Sequence, residues 1–331
     1  MQVTEIAIIG ASGYAGGELI RFVDQHPAME AVYLGAHSQA GKTLREVHPN
    51  LRGGDRVLGA LDGAPDVDLA FLALPHGASA EPAMALLARG TKVVDLGSDF
   101  RLDSAARYRE AYGSDHPFPA ELGAWGYGIP ELFPIAGRDR VAAPGCYPTS
   151  AVLALAPLLE AGLVDPTGIV VDSISGVSGA GRDAVSFGAM DESVHAYKVT
   201  VHRHRPEMEQ ALGHGSTVVF TPHLAPMQRG ILTTVYADSD ATAVELNEAL
   251  AKVYDAAPFV EVIDQPPQTR WVVGSNRCLV AAYRDDRTGK AVVLSALDNL
   301  VKGAAGQAVQ CANVMLGLDE TAGLPEDGWM P

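Results

Sequence analysis

Between Glu5 and Val23 the chain reads EIAIIG followed by ASGYAGGELIRFV. A β-branched apolar run ends in glycine, glycines recur at 10, 13 and 16 with Gly17 beyond, and an apolar helical face follows at Leu19, Ile20, Phe22 and Val23. His26-Pro27 then stops the helix. Strand, glycine turn and helix in that order restrict the fold to few choices, because such a turn lets backbone N–H groups and the positive helix end approach a phosphate. The plainer alternative is a purely structural turn. Further apolar strands follow in EAVYLGA, DLAFLALP (Asp68–Pro75) and TKVVDLG (Thr91–Gly97), the last two separated by the helical GASAEPAMALLARG. Strands apolar throughout and alternating with helices predict a parallel sheet covered on both faces.

The end of the second strand bears on which dinucleotide such a turn would take. An NAD site places Asp or Glu there for the ribose 2′-hydroxyl. No acid stands from Tyr33 to Arg45, whereas His37, Ser38, Lys42 and Arg45 do, which favours the 2′-phosphate of NADP. Net charge is −16, which argues against a general nucleic-acid or anionic-membrane surface but not against a small anionic substrate. The opening MQVTEIAIIG lacks a basic, apolar leader, and no apolar run approaches the ~20 residues of a membrane span, so a soluble cytoplasmic protein is expected.

Of the three cysteines, at 146, 278 and 311, none forms a C-x-x-C pair. Cys278 and Cys311 sit in apolar runs and read as small core residues. Cys146 stands in VAAPGCYPTSAVLAL, presented by a Pro-Gly turn ahead of a helix expected to start near Pro148-Thr149. A thiol at a helix N-terminus gains thiolate character, so Cys146 is the candidate nucleophile. Thiolate attack on an activated acyl group followed by hydride reduction of the thioester is the chemistry that a cysteine and a nicotinamide suggest together, and it needs a proton donor. His202 and His204, in AYKVTVHRHRPEMEQAL, lie just before a helix opened by Arg-Pro-Glu; no ligand spacing nearby suggests a metal. The Ser/Gly run SISGVSGAGRD (Ser173–Asp183) lets backbone approach a flat ring or a phosphate. Arg101, in DLGSDFRLD, could grip a phosphate or make an ordinary salt bridge to Asp99 or Asp103.

Eight stretches in order, GASGYAGGEL, LALPHG, DLGSDFRL, YGIPEL, APGCYPT, SGVSGAGR, HRHRPEMEQ and DNLVKGAAGQAVQ, resemble the N-acetyl-gamma-glutamyl-phosphate reductases, the arginine-pathway branch of the semialdehyde dehydrogenase family. Ser150, where that family more usually has Gly or Ala, and the tail GLPEDGWMP depart from it. The resemblance implies a Rossmann-type parallel-sheet NADP domain at 1–145, completed by 299–331, and an α+β catalytic and oligomerisation domain with a mixed sheet at 146–298. It implies Cys146 as acyl acceptor and His202 as acid/base, with His204 the weaker choice. Arg101, Tyr197 and Glu207 would meet the substrate, Arg101 at its phosphate. Gly10, Ala11, Ser12, Gly13, Gly16 and Ser38 would hold NADP phosphates and ribose. Ser178, Gly179, Ala180 and Gly181 would line the nicotinamide end, with Asn299, and more weakly Asn313, completing the pocket. A homodimer or homotetramer, built through the mixed sheet, acting on a small acyl phosphate, is the implied assembly. The rivals are a sister reductase of carrier-linked aminoadipyl or glutamyl phosphate, disfavoured by the acidic charge, and a non-catalytic NADP-binding regulator.

Overall fold

The computed structural model describes residues 3–182 and 190–330. They divide into two compact units: Met1–Pro144 with Ala304–Leu324, and Gly145–Gly303 with Pro325–Pro331.

The first unit is organised on an all-parallel six-stranded sheet of order β2-β1-β3-β4-β6-β5, with β1 Thr4–Ile9, β2 Met29–Gly35, β3 Leu69–Leu72, β4 Lys92–Asp95, β5 Gly126–Tyr127 and β6 Arg140–Ala142. Its central strands carry no polar face: Ile6 to Ile9 and Leu69 to Leu72 are all buried, as a sheet covered on both sides requires. The helix Tyr14–Val23 follows β1 directly, and the later helix Gly306–Leu316 returns to the same unit. Ala7, Ile9, Ala70, Leu72 and Val93 form one core with Phe100 and Trp125.

The second unit carries a mixed seven-stranded sheet of order β11-β12-β13-β10-β7-β9-β8. Its strands are β7 Ile169–Gly176, β8 His195–Ala196, β9 Val218–Ala225, β10 Ile231–Asp238, β11 Val260–Val262, β12 Cys278–Asp285 and β13 Lys290–Leu297. Strands β7, β10, β13 and β12 form an antiparallel ladder, and β12 turns into β13 through Asp286–Gly289. The alternating burial along β7, β9 and β10 leaves one sheet face inward and one outward.

Against the inner face packs the helix Cys146–Glu160, nearly all of it buried; each fully buried leucine among Leu153, Leu155 and Leu158 contributes about 1.5–3 kcal/mol of apolar transfer. Four buried hydroxyls join this helix to the sheet. Ser150 Oγ donates to Thr233 Oγ1 (2.8 Å) and lies 2.7 Å from Ser295 Oγ, while Ser173 Oγ is 2.8 Å from Thr233 Oγ1. Ser150 is thus matched here by Thr233 on β10 and Ser295 on β13, with Ser173 on β7 extending the chain through Thr233.

The tail beyond Leu324 belongs to the second unit rather than completing the first, as does Asn299. The cause is local: Trp329 N–H donates to Val273 O (2.7 Å) and Asn276 N–H to Pro325 O (2.8 Å).

Candidate active site

The second unit gathers a cysteine, two histidines, two tyrosines and a buried carboxylate around one helix start. The helix begins at Cys146 itself, two residues earlier than Pro148, because Gly145 adopts an extended conformation and its carbonyl accepts the Thr149 N–H (2.9 Å). Pro148 falls in the first turn, where no backbone donor is needed. Cys146 is a partly exposed thiol outside any disulfide, whereas Cys278 and Cys311 are buried. Glu207, fully buried in the helix Arg205–Leu212, accepts the Gly145 N–H at 2.8 Å and so fixes the turn that presents the thiol. That assigns Glu207 a positioning task, where sequence reasoning expected a substrate contact.

His202 and His204 are both buried, with ring centroids 4.7 Å apart. The His204 ring rests on Gly145: a Cβ there would lie 2.5 Å from its Nε2. The His202 ring meets Tyr147, Tyr197 and Phe220 edge to face at 5.3–5.7 Å. Its Nδ1 accepts the backbone N–H of His204 (3.2 Å), so the neutral ring carries its proton on Nε2. Burial, with the positive Lys198 and Arg203 nearby, lowers its pKa to about 4 and keeps it neutral at pH 7. The Tyr147 and Tyr197 hydroxyls lie 3.1 Å apart. Burial raises Tyr197 to about 12 and pushes Tyr147 further up, and the nearby Cys146 adds to both shifts.

Asn299 is buried on the same unit, its Oδ1 accepting the Gly230 N–H (2.8 Å) and its Nδ2 donating to Ser178 Oγ (2.9 Å). Asn299 and the Ser178 run therefore come together. Gly179, Ala180 and Gly181 are exposed; Asp183, the last residue of that run, lies outside the described residues.

In the first unit, Gly10 has φ +91°, and a Cβ on it would lie 2.3 Å from Ala73 O; a Cβ on Gly16 would lie 2.3 Å from Gly10 O. Both glycines are demanded by the chain's own packing. Gly13 is not, since a Cβ there would meet only Gly10 O at 3.6 Å, and its bareness leaves a cradle in front of the helix Tyr14–Val23. Gly10 and Ala11 N–H both donate to Gly35 O, and Gly13 N–H to Gly10 O. The Gly10, Ala11 and Gly13 N–H groups are thus engaged within the unit, and what the turn presents to an anion is the positive end of the helix Tyr14–Val23. Ser12 lies between them in the turn. Buried His48 supports the turn from below, with Nε2 2.8 Å from Ala11 O. Ser38, His37 and Lys42 are exposed beyond β2.

Arg101 is buried. Its Nε donates to Ala143 O (2.9 Å) and Nη2 to Leu96 O (2.8 Å), so it ties the ends of β4 and β6 together. Neither of the salt bridges considered for it takes these donors. Asn313 belongs to packing: its amide meets His26 Nε2, Glu320 O and Ala322 O at 3.0–3.1 Å, which removes it from the cofactor candidates.

Residues 5–139 match the semialdehyde dehydrogenase NAD-binding domain, and residues 146–299 match the semialdehyde dehydrogenase dimerisation domain. An N-acetyl-gamma-glutamyl-phosphate reductase of Pelotomaculum thermopropionicum is 46% identical over 347 residues, covering all of both chains. One of Salinispora arenicola is 49% identical over 337 residues, 98% of this chain and 99% of its own. The chain belongs to the semialdehyde dehydrogenase family. It is an oxidoreductase of that family, and its two matched domains correspond to the two units of the structure. Solved structures agree on the fold. Aspartate semialdehyde dehydrogenase II of Vibrio cholerae, complexed with ASA, gives a TM-score of 0.72 at 19% identity over 96% of this chain and 99% of that one. The Candida albicans aspartate semialdehyde dehydrogenase with NADP gives 0.68 at 17% identity over 95% and 98%. No helix among the described residues is long and apolar enough to cross a membrane.

Sequence reasoning passed over several residues. Tyr147 follows the cysteine but reads as a helix residue until its contacts with Tyr197 and both histidines are seen. Gly303 presses on Cys146: a Cβ there would lie 2.8 Å from the cysteine Cβ. His76, after β3, stacks on Tyr112 at 4.1 Å, with its Nδ1 2.8 Å from Ser98 Oγ and 3.2 Å from Asp99 Oδ1. Burial pushes the Asp99 carboxyl up, but hydrogen bonds from His76, Gly77 and Ser79 outweigh it and hold the group at about 2. A signal existed in the LALPHG stretch, since ligands sit at strand C-terminal ends in such sheets.

Proposed function

We propose that the chain catalyses NADPH-dependent reduction of N-acetyl-gamma-glutamyl phosphate to N-acetyl-glutamate semialdehyde, a step of arginine biosynthesis in the cytoplasm. One observation carries the reading. A partly exposed thiol opens a long buried helix, on a turn anchored by a buried carboxylate and flanked by two histidines.

In this reading the first-turn N–H groups favour the Cys146 thiolate. The thiolate attacks the acyl carbonyl, the carbon–sulfur bond forms, and inorganic phosphate leaves. NADPH, when bound, supplies the hydride that converts the thioester to the aldehyde. His202 Nε2–H donates a hydrogen bond to the substrate oxygen as negative charge develops there, and collapse of that oxyanion to the aldehyde C=O breaks the carbon–sulfur bond and returns the Cys146 thiolate. Tyr147 and Tyr197 frame that ring. The first helical turn after Gly13 would hold the pyrophosphate, Ser38 and Lys42 the 2′-phosphate, and Ser178 to Gly181 with Asn299 the nicotinamide end. Arg101 would meet the substrate phosphate. The two reductases described above, matched over 98% or more of this chain, bear that name and support the free acetylated substrate over the carrier-linked one.

A second copy of the chain would cover the outer sheet face, where the register-paired Val170, Val219 and Tyr236 are 37%, 50% and 40% exposed. Sedimentation tests that directly.

The deciding experiment follows NADPH oxidation with the acetylated and the carrier-linked acyl phosphates, alongside mass-spectrometric trapping of the acyl adduct. Turnover of the free substrate, an adduct on Cys146 and a dead Cys146→Ser variant that still binds NADP are expected. Reduction of only the carrier-linked substrate overturns the substrate choice. Full NADP binding with no adduct overturns the enzyme reading in favour of a regulator.

A further inference from the structure

We propose that residues 325–330 form a positioning strap for the nucleophile, acting through Trp329, Arg229 and Asp298 on the turn that presses against Cys146. The strap lies beyond both matched domains, which end at residues 139 and 299. The inference rests on Cys146 being the nucleophile.

The path is continuous within the second unit. Backbone hydrogen bonds from Trp329 N–H to Val273 O (2.7 Å) and from Asn276 N–H to Pro325 O (2.8 Å) lay the strap along residues 273–276. The Trp329 indole rests on Gly274, whose φ is +87° and where a Cβ would stand 2.4 Å from Cδ2 and Cε2. Gly274 N–H, under that ring, donates to Asp298 Oδ2 at 2.7 Å. The Arg229 guanidinium reaches both ends of the link, 5.6 Å from the indole centroid and 3.5 Å from Asp298 Oδ2.

Asp298 is fully buried, so its charge depends on these partners. Its other oxygen accepts Leu300 N–H (2.8 Å) and Val301 N–H (3.3 Å), and its carbonyl accepts Gly303 N–H (2.9 Å). The turn so held runs into the π-helical Val301–Ala305, a geometry concentrated at functional sites. At its apex, Gly303 leaves no room for a Cβ beside Cys146. Trp329 shields the Arg229–Asp298 pair and the Gly274 hydrogen bond on one side. Removing the ring admits water, raises the local dielectric and weakens both contacts, and the turn loosens where it meets the cysteine.

The test compares Trp329→Ala and Trp329→Phe with wild type in three measurements: steady-state kinetics, the pH dependence of iodoacetamide alkylation of Cys146 read by mass spectrometry, and thermal melting. Trp329→Ala is expected to lose about tenfold in kcat with KM within about twofold, since small misplacement of a reacting group costs rate rather than binding. Its alkylation profile should shift, and Trp329→Phe should recover most of both. Arg229→Gln, which cuts the link with the indole still seated, should reproduce the two effects even if Trp329→Ala melts below the assay temperature. Wild-type kcat and alkylation in Trp329→Ala, or in Arg229→Gln, overturn the strap. If Cys146→Ser keeps turnover, the nucleophile reading fails instead, independently of the strap variants.

Discussion

Gly145→Ala is the smallest change that tests the geometry around the thiol. Gly145 has φ −68° and ψ 152°, a conformation alanine adopts freely, so the substitution introduces no backbone strain. The added methyl would lie 2.5 Å from His204 Nε2, 2.6 Å from Cε1 and 3.0 Å from Cδ2. Carbon atoms pack comfortably at about 3.5–4.0 Å, so the ring must retreat by roughly 1 Å. It has little room to do so. His204 is buried at the N-cap of its helix, with its ring 4.7 Å from that of His202 and 5.9 Å from that of Tyr147. Overpacking of this kind costs about 1–3 kcal/mol of stability, and a displacement of about 1 Å at reacting groups costs up to ~10²-fold in rate. Urea unfolding should show the first loss, and NADPH oxidation should show kcat falling ten- to a hundredfold with KM little changed. The double variant Gly145→Ala/His204→Ala should recover stability relative to the sum of the singles, because the colliding ring is gone. A folded Gly145→Ala enzyme with at least half of wild-type kcat would refute the reasoning, as would a double variant whose losses simply add.

Three further outcomes are expected. Glu207→Gln should keep near wild-type kcat, because an amide oxygen can still accept the Gly145 N–H, whereas Glu207→Ala should lower kcat and cost about 1–3 kcal/mol by leaving that N–H unsatisfied; a large rise in KM for Glu207→Gln with unchanged kcat would restore the substrate-contact role. The depressed pKa of His202 means its neutral form is favoured by folding, so its contribution to stability is full above pH 6.5 and lost as pH falls towards about 4, on the order of 3 kcal/mol in all; the wild-type minus His202→Asn difference in unfolding free energy between pH 7 and pH 4 measures it, and a difference that does not shrink on acidification contradicts the burial account. Ser150→Ala should destabilise the fold by about 1–3 kcal/mol in urea titrations, since Thr233 and Ser295 lose a buried partner; an unchanged midpoint would show that these hydroxyls re-pair among themselves.

What could be read from the sequence was what short stretches determine. Apolar runs with glycine turns announced the parallel sheet, whereas the mixed sheet of the second unit came only with the family resemblance. Cys146 was legible because a Pro-Gly turn and a helix start are both local. The short strands β5, β8 and β11 were not, having two or three residues each and no pattern to carry. The harder failures concern what a polar group is for. Glu207 and Asn313 both look like site residues by type, yet one holds the turn of a cysteine 61 positions earlier and the other holds His26, nearly the whole chain away. A side chain's type says which hydrogen bonds it can make; only the folded topology says which of them are already taken. The same holds for glycine: Gly10, Gly16, Gly145 and Gly303 share one residue type, but each is excluded from carrying a methyl by a different neighbour, and only at Gly145 and Gly303 does that neighbour belong to the chemistry around the thiol.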